Sequence, residues 1–322
     1  VNRFLIKVTA FGTSIFLLFL ISILATENKF LSDFLSYKIP LTIGASSHQW
    51  TRQGEADTTR NVDVLIVGSS LAQSIDVRNF TKYKLRAFNL ASGSQSPIQT
   101  SYLFDKYLDS FNPKLVIWDV HAYTFANTGV ESTIDLLSNC SDCGGMISML
   151  FKTNSSLAWK SYLKRMMRKP FEEKNYVAPR ETKLSKYITG GYMEMYFEAP
   201  DSPEKMTNFY YHGLDLQKKI FESELKSLKG KSISVILVNS PKSDEYILNF
   251  QNQQDWFEYY TYLMKQGLVE GFLNFNEVFS GNEEKNSFFY DIAHLTPEGI
   301  KNYNTALIDS ISERLEVLKK VD

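Results

Sequence analysis

Apolar residues fall along this chain in three patterns. The first is a nearly unbroken uncharged run over 8–25, with Arg3 and Lys7 before it and Glu27 after it. It approaches the ~20 residues that a bilayer span requires, and it lacks the amphipathic spacing of a buried helix in a soluble fold. The second pattern is a set of short apolar runs, rich in β-branched residues over 62–67, 115–120 and 233–238, with 85–90 as a weaker member and 271–275 as a candidate for the last. Each reads as a buried strand. The third is helical spacing, clear over 98–108 and again over 297–318. Strands alternating with helices predict βαβ units. The expected fold is therefore α/β, three layers (α/β/α) around a central parallel sheet, preceded by one N-terminal transmembrane helix.

These patterns divide the chain. Residues 1–27 read as a membrane anchor or signal-anchor, with the basic end inside and all that follows outside the cytoplasm. The sequence Ile23-Leu24-Ala25-Thr26-Glu27 is a poor small-x-small cleavage site, so a retained anchor is favoured over a removed leader. Residues 28–60, with Tyr37, Pro40 and Trp50 and no clear period, read as a lead-in or stalk that packs against the domain. The α/β domain occupies 61–322, and its alternation breaks over about 125–213. That interval is expected to be a partly helical insertion between two sheet strands, of the kind that shapes a ligand cleft at the carboxyl edge of a parallel sheet. Its basic cluster, Lys160, Lys164, Arg165, Arg168 and Lys169, reads as a solvated helix face, with contact to anionic lipid or polymer as the alternative.

Composition narrows the partners. A chain of 322 residues, 43% hydrophobic, can bury a large core, and a net charge of −1 supplies no global field for nucleic acid. Its two cysteines, Cys140 and Cys143, have no histidine beside them. On the extracytoplasmic side a local disulfide is the simpler reading, ahead of redox catalysis or half a zinc site.

Candidate chemistry lies in two stretches. The strand over 62–67 stops at Gly68-Ser69-Ser70, and a helix is expected from Leu71 onward. Ser70 is then exposed beside unpaired N–H groups and is the candidate nucleophile; simple helix capping by Ser69 or Ser70 is the plain alternative. The second stretch places Asp291 and His294 three apart, directly before a helix start with Thr296 as N-cap and Pro297 at its first position. A serine needs an imidazole to take its proton, and the imidazole needs a carboxylate to fix its tautomer. Alone, that pair could equally be an ordinary surface loop.

Together these stretches resemble the SGNH or GDSL hydrolase superfamily. The likeness lies in Gly68-Ser69-Ser70 after a strand, in Asn89-Leu90-Ala91-Ser92-Gly93 where the family has a glycine block, and in Asp291-x-x-His294 before the last helix. It covers roughly 60–310, apart from the insertion. The resemblance implies a flavodoxin-like sheet, Ser70 as nucleophile, His294 as general base and Asp291 as its orienter, and no cofactor or metal. It also implies an oxyanion hole built from the N–H groups of Ser70 and Gly93. The family's third block supplies an Asn side chain to that hole, but this chain has Trp118-Asp119-Val120-His121-Ala122-Tyr123 there. His121 or Tyr123 is the substitute donor to test; Asp119 with His121 could instead be a core pair or a metal pair. Anchored members with a lax third block resemble proteins that D-alanylate teichoic acid or acetylate exopolysaccharide. The implied activity is that of an extracytoplasmic serine acyl esterase or O-acyltransferase, its partners being the membrane, an acylated carbohydrate or envelope polymer, and a membrane acyltransferase. The competing class is a non-catalytic polysaccharide-binding or envelope assembly protein on a degenerate SGNH fold.

Overall fold

The computed structural model describes residues 2–25, 48–140, 143–168, 178–200, 205–279 and 285–319. Its elements in chain order are α1 (Asn2–Ala25), α2 (Gln49–Thr58), β1 (Val64–Val67), β2 (Ala87–Asn89), α3 (Pro97–Phe111) and β3 (Leu115–Asp119). The insertion carries α4 (Val130–Ser138), α5 (Ile147–Thr153), α6 (Ser156–Arg168) and a hairpin of β4 (Ser185–Ile188) and β5 (Tyr192–Met195). After it come α7 (Asp215–Gly230), β6 (Ser234–Asn239), α8 (Gln253–Lys265), β7 (Gly271–Asn274), α9 (Pro297–Ser310) and α10 (Ser312–Lys319).

One five-stranded sheet organises these elements in the order β2-β1-β3-β6-β7, with every neighbouring pair parallel. Successive side chains on a strand point to opposite faces, and here both faces are covered, so the strands carry no polar alternation. Leu65, Val67, Val116, Trp118, Val235 and Leu237 pack into one core with α3, α7 and α8. Val64, Ile66, Leu115, Ile117, Ile236 and Val238 pack into the other with α9, α10 and the 3-10 segment Val77–Tyr83. The three-layer α/β/α architecture follows from that division.

Three expectations change. The single closing helix over 297–318 is two helices, α9 and α10, separated at Ile311. Two members of the basic cluster are not on a solvated face: Lys164 and Arg165 are buried, and Arg165 Nη2 donates to the Cys140 carbonyl at 2.8 Å. Lys169 lies outside the described residues. The third change concerns the N-terminus. α1 is a 24-residue helix with Phe4, Leu5, Ile6, Phe11, Ile15 and Leu18 exposed, yet among the described residues no helix is long and apolar enough to cross a membrane. The expected span therefore has no support from the structure, and Glu27 and most of the lead-in, including Tyr37 and Pro40, lie outside the described residues.

The described end of the lead-in packs against the domain. α2 docks on the hairpin and on the loop after β2. Arg52, fully buried, donates from Nε to the Gly191 carbonyl (3.0 Å) and from Nη1 to the Ala91 carbonyl (2.7 Å). Glu55 accepts from Tyr187 Oη and from Gly190 N, both at 2.8 Å. The hairpin turn in turn covers the edge of the sheet, since Asn89 N donates to the Gly190 carbonyl at 2.7 Å. Gly191 has φ +83°, and a Cβ there would lie 2.2 Å from the Asn89 carbonyl oxygen, so only glycine allows this approach. Cys140 and Cys143 are joined as a disulfide with Cα atoms 5.6 Å apart, as expected.

Candidate active site

The carboxyl end of β1 runs into a turn that only glycine can start. Gly68 has φ +141°, and a Cβ there would sit 2.8 Å from Asp119 Cβ. Beyond it the expected α-helix does not form. The 3-10 turn Ala72–Ser74 takes its place, followed by a second 3-10 segment at Val77. Side chains capture the carbonyls that would have continued a helix. Asn89 Nδ2 donates to Ala72 O (2.8 Å) and Ile75 O (3.1 Å), and Asn304 Nδ2 donates to Ser74 O (2.7 Å). Ser70 is thus presented by a clamped turn rather than by a long helix dipole. The plain alternative of capping is not realised: the 3-10 turn has Leu71 as its N-cap with no side-chain capping bond, and Ser69 Oγ accepts only weakly from Leu71 N at 3.4 Å.

The Asp291–His294 loop precedes α9, whose Thr296 cap accepts from Gly299 N and whose N-terminal residue is Pro297, as the sequence predicts. Three hydrogen bonds reach the Asp291 carboxylate. Ala293 N and His294 N donate to Oδ1 at 2.8 and 2.7 Å, and His294 Nδ1 donates to Oδ2 at 2.8 Å. Burial pushes the Asp291 pKa up, but the His294 hydrogen bond and charge, with the two backbone N–H groups, outweigh it and hold the carboxyl below 3.8. A carboxylate has no proton to give, so Nδ1 must carry the hydrogen, which leaves Nε2 as an acceptor. The Ser70 hydroxyl lies 2.7 Å from that nitrogen. Ser70, His294 and Asp291, the first two 224 positions apart in the chain, therefore form one hydrogen-bonded chain.

Gly93 comes to the same place. Asn89 Oδ1 accepts from Ala91 N (3.0 Å), and Ser92 N donates to the Gly68 carbonyl (3.3 Å), which docks the loop on the serine turn. Among the described residues neither Ser70 N–H nor Gly93 N–H has an acceptor, and both residues line one cleft of about 940 Å³ with His294. Two N–H groups without acceptors beside a serine can receive a developing oxyanion.

His121 does not join them. The turn after β3 carries its ring into a separate aromatic recess, where Nε2 pairs with Tyr246 Oη at 2.8 Å and the rings of Tyr123 and Tyr211 lie 5.9 and 6.1 Å away. Burial, then the charges of Lys242 and His294, hold its pKa well below 6.5. Asp119 is engaged elsewhere: Oδ2 accepts from Ser240 N (3.1 Å) and Ser240 Oγ (2.6 Å) beneath the Gly68 turn. The ring of His121 is thus engaged by Tyr246 in a recess separate from the cleft that Ser70 and Gly93 line. Among the described residues no group of three or more His, Cys, Asp and Glu could hold a metal ion.

Sequence reasoning missed several residues around the cleft. α4 contributes Glu131 and Asp135, and the hairpin contributes Met193 and Met195. Phe197 stacks on Tyr290 with centroids 4.5 Å apart, and Tyr290 neighbours His294. Arg52 and Gln73 both donate to the Ala91 carbonyl, which steadies the Gly93 loop. Only Gln73, three residues after Ser70, carried a positional signal.

No family model and no curated protein matches the chain. Among solved structures it is similar to a candidate acylhydrolase from Bacteroides fragilis, at 11% identity and TM-score 0.42, over 87% of this chain and 100% of that one. A GDSL-like lipase from Bacteroides thetaiotaomicron shows 13% identity and TM-score 0.42, over 82% and 98%. A candidate platelet activating factor structure from Streptococcus pneumonia shows 10% identity and TM-score 0.43, over 83% and 92%. The parallel five-stranded sheet, a serine after its first strand and Asp-x-x-His before α9 match the arrangement expected from the resemblance to SGNH/GDSL hydrolases.

Proposed function

We propose that this chain is a serine acyl esterase or O-acyltransferase that acts on acyl esters of a cell-envelope polysaccharide or related polymer. The observation that carries the reading is the Ser70–His294–Asp291 chain opening onto a cleft beside two N–H groups without acceptors. As His294 Nε2 takes the hydroxyl proton, Ser70 Oγ bonds to the ester carbonyl carbon. The carbonyl oxygen becomes an oxyanion facing the N–H groups of Ser70 and Gly93. Collapse breaks the bond to the alcohol oxygen, which leaves with the proton from His294, and an acyl-Ser70 remains. Water or a second hydroxyl then repeats the sequence in reverse, giving a free acid or a new ester. Asp291, ionised throughout, orients the imidazole and stabilises its cation.

The polymer side of the reading is supported by the cleft. About 940 Å³ is at the upper end of small-ligand sites. Its walls offer carboxylates on α4 and the stacked Phe197–Tyr290 shelf, groups suited to a polyhydroxylated ring. Attachment to a membrane through α1, with the α/β portion on the extracytoplasmic side, rests on the uncharged run over 8–25 behind Arg3 and Lys7, with the Cys140–Cys143 disulfide in keeping with an oxidising compartment. A membrane acyltransferase that supplies the acyl group is the partner this placement calls for.

Labelling of the full chain with a fluorophosphonate tests the assignment. Ser70→Ala should abolish labelling and Ser69→Ala should retain most of it. Equal labelling of wild type and Ser70→Ala would sink the proposal.

A further inference from the structure

Two cavities meet at Ser70, and they differ in size and character. The large one is the cleft already described, which contains Gly93. The other is a recess of about 10 Å³ bordered by Ser70 and His294, with Leu71, Met195, Leu295 and Ile300 among its walls, and without Gly93. That volume holds about one water-sized or methyl-sized group. Its lining behaves as apolar, because the two hydroxyls beside it are already committed. Ser74 Oγ donates to the Leu71 carbonyl at 2.5 Å, and Ser240 Oγ is held by Asp119 and Tyr303. Leu71, Leu295, Ile300 and Met195 are all buried, so the walls have little room to retreat.

The tetrahedral centre on Ser70 Oγ has three other substituents. The oxyanion must face the Gly93 side, in the cleft. The departing alcohol oxygen must lie near His294 Nε2, and its bulky remainder fits only the cleft. The acyl carbon chain is left with the recess. Building on the serine-ester reading above, we infer that this recess is the acyl-binding site and that it limits the acyl group to acetyl, so that the substrate is an O-acetyl ester whose alcohol lies in the cleft. Met195 and Ile300 set the limit. Both also line an outer groove of about 400 Å³ that carries Asp76, Arg78 and Glu194, so these two side chains form the partition between recess and groove. Shortening either one joins the two spaces.

The test is kcat/KM of the detergent-solubilised full chain on p-nitrophenyl acetate, propionate, butyrate and hexanoate. Wild type should lose about tenfold or more from acetate to butyrate, the scale on which one or two methylenes are discriminated. Met195→Ala should raise the butyrate-to-acetate ratio about tenfold, with Ile300→Val as a milder second variant and a thermal melt on each to confirm folding. A flat or rising chain-length profile in wild type, with turnover lost in Ser70→Ala, overturns the acetyl limit while leaving the serine-ester reading intact. An unchanged ratio in both folded variants overturns the partition. Turnover that persists in Ser70→Ala, or no turnover of any ester, removes the serine-ester reading and this inference with it.

Discussion

Two Asp–His pairs stand at the carboxyl edge of the same sheet, and they do opposite things. Asp291 and His294 are three apart in a loop, about one-third exposed, and linked to each other and to Ser70. Asp119 ends β3 and His121 lies two residues on in the turn after it, and each is claimed by a different neighbour, Ser240 and Tyr246. The contrast extends to charge. Three hydrogen bonds hold Asp291 ionised against its burial, whereas burial raises the Asp119 pKa against the opposing influence of Lys242 and Ser240. Lys242, itself buried, has its pKa pushed down to about 8. The same residue types therefore make a relay where donors converge on the carboxylate and solvent reaches the ring, and a packed polar core where they do not.

The largest expected effect comes from breaking the first pair's link to the serine. Ser70→Ala and His294→Ala should each cost on the order of 10⁶ in kcat, and the double variant should be no worse than either, because the members act as one unit. Additive losses in kinetics on p-nitrophenyl acetate would show that they act separately. Asp291→Asn should cost on the order of 10⁴, since the imidazole loses the partner that fixes its tautomer. It should also alter the acid limb of stability. The folded carboxyl titrates below its unfolded value of 3.8, so its stabilisation is complete above 3.8 and is lost as pH falls through the lower folded pKa. Denaturant titrations should show the wild-type advantage over Asp291→Asn at pH 6 shrinking by pH 2.

The smallest effect sharpens the comparison from the other side. His121→Phe keeps the aromatic packing and removes the bond to Tyr246, so it should cost about 1 kcal/mol of stability and leave kcat/KM near wild type. An oxyanion donor at this position would instead show a loss on the order of 10²–10³ in rate. A loss of that size, with the melt unchanged, would return His121 to the site.

Much of the layout was legible because buried parallel strands have a local signature. The runs over 62–67, 115–120 and 233–238 are apolar on both faces, and each became a strand to within two residues. The last helix start was legible for the same kind of reason, since a Thr cap and a Pro at the first position act within one turn. The helix expected after Ser70 failed because its carbonyls were taken by Asn89 and Asn304, which lie 17 and 230 residues from the groups they bind. Local propensity carries no trace of such partners.

The sequence by itself determined the residue types that could do the chemistry and their positions relative to nearby strand and helix ends: Gly68 and Ser70 after β1, Asp291 and His294 before α9. Those depend on backbone conformation over a few residues. Only the tertiary structure decided which histidine meets the serine, because a 2.7 Å contact across 224 residues is set by how helices pack on both faces of the sheet. It decided equally that Arg52 of the lead-in steadies the Gly93 loop, and that Met195 of the insertion closes a recess beside Ser70. Both depend on elements far apart in the chain docking on one edge, where shape and hydrogen-bond partners are properties of the assembled surface and of no single segment.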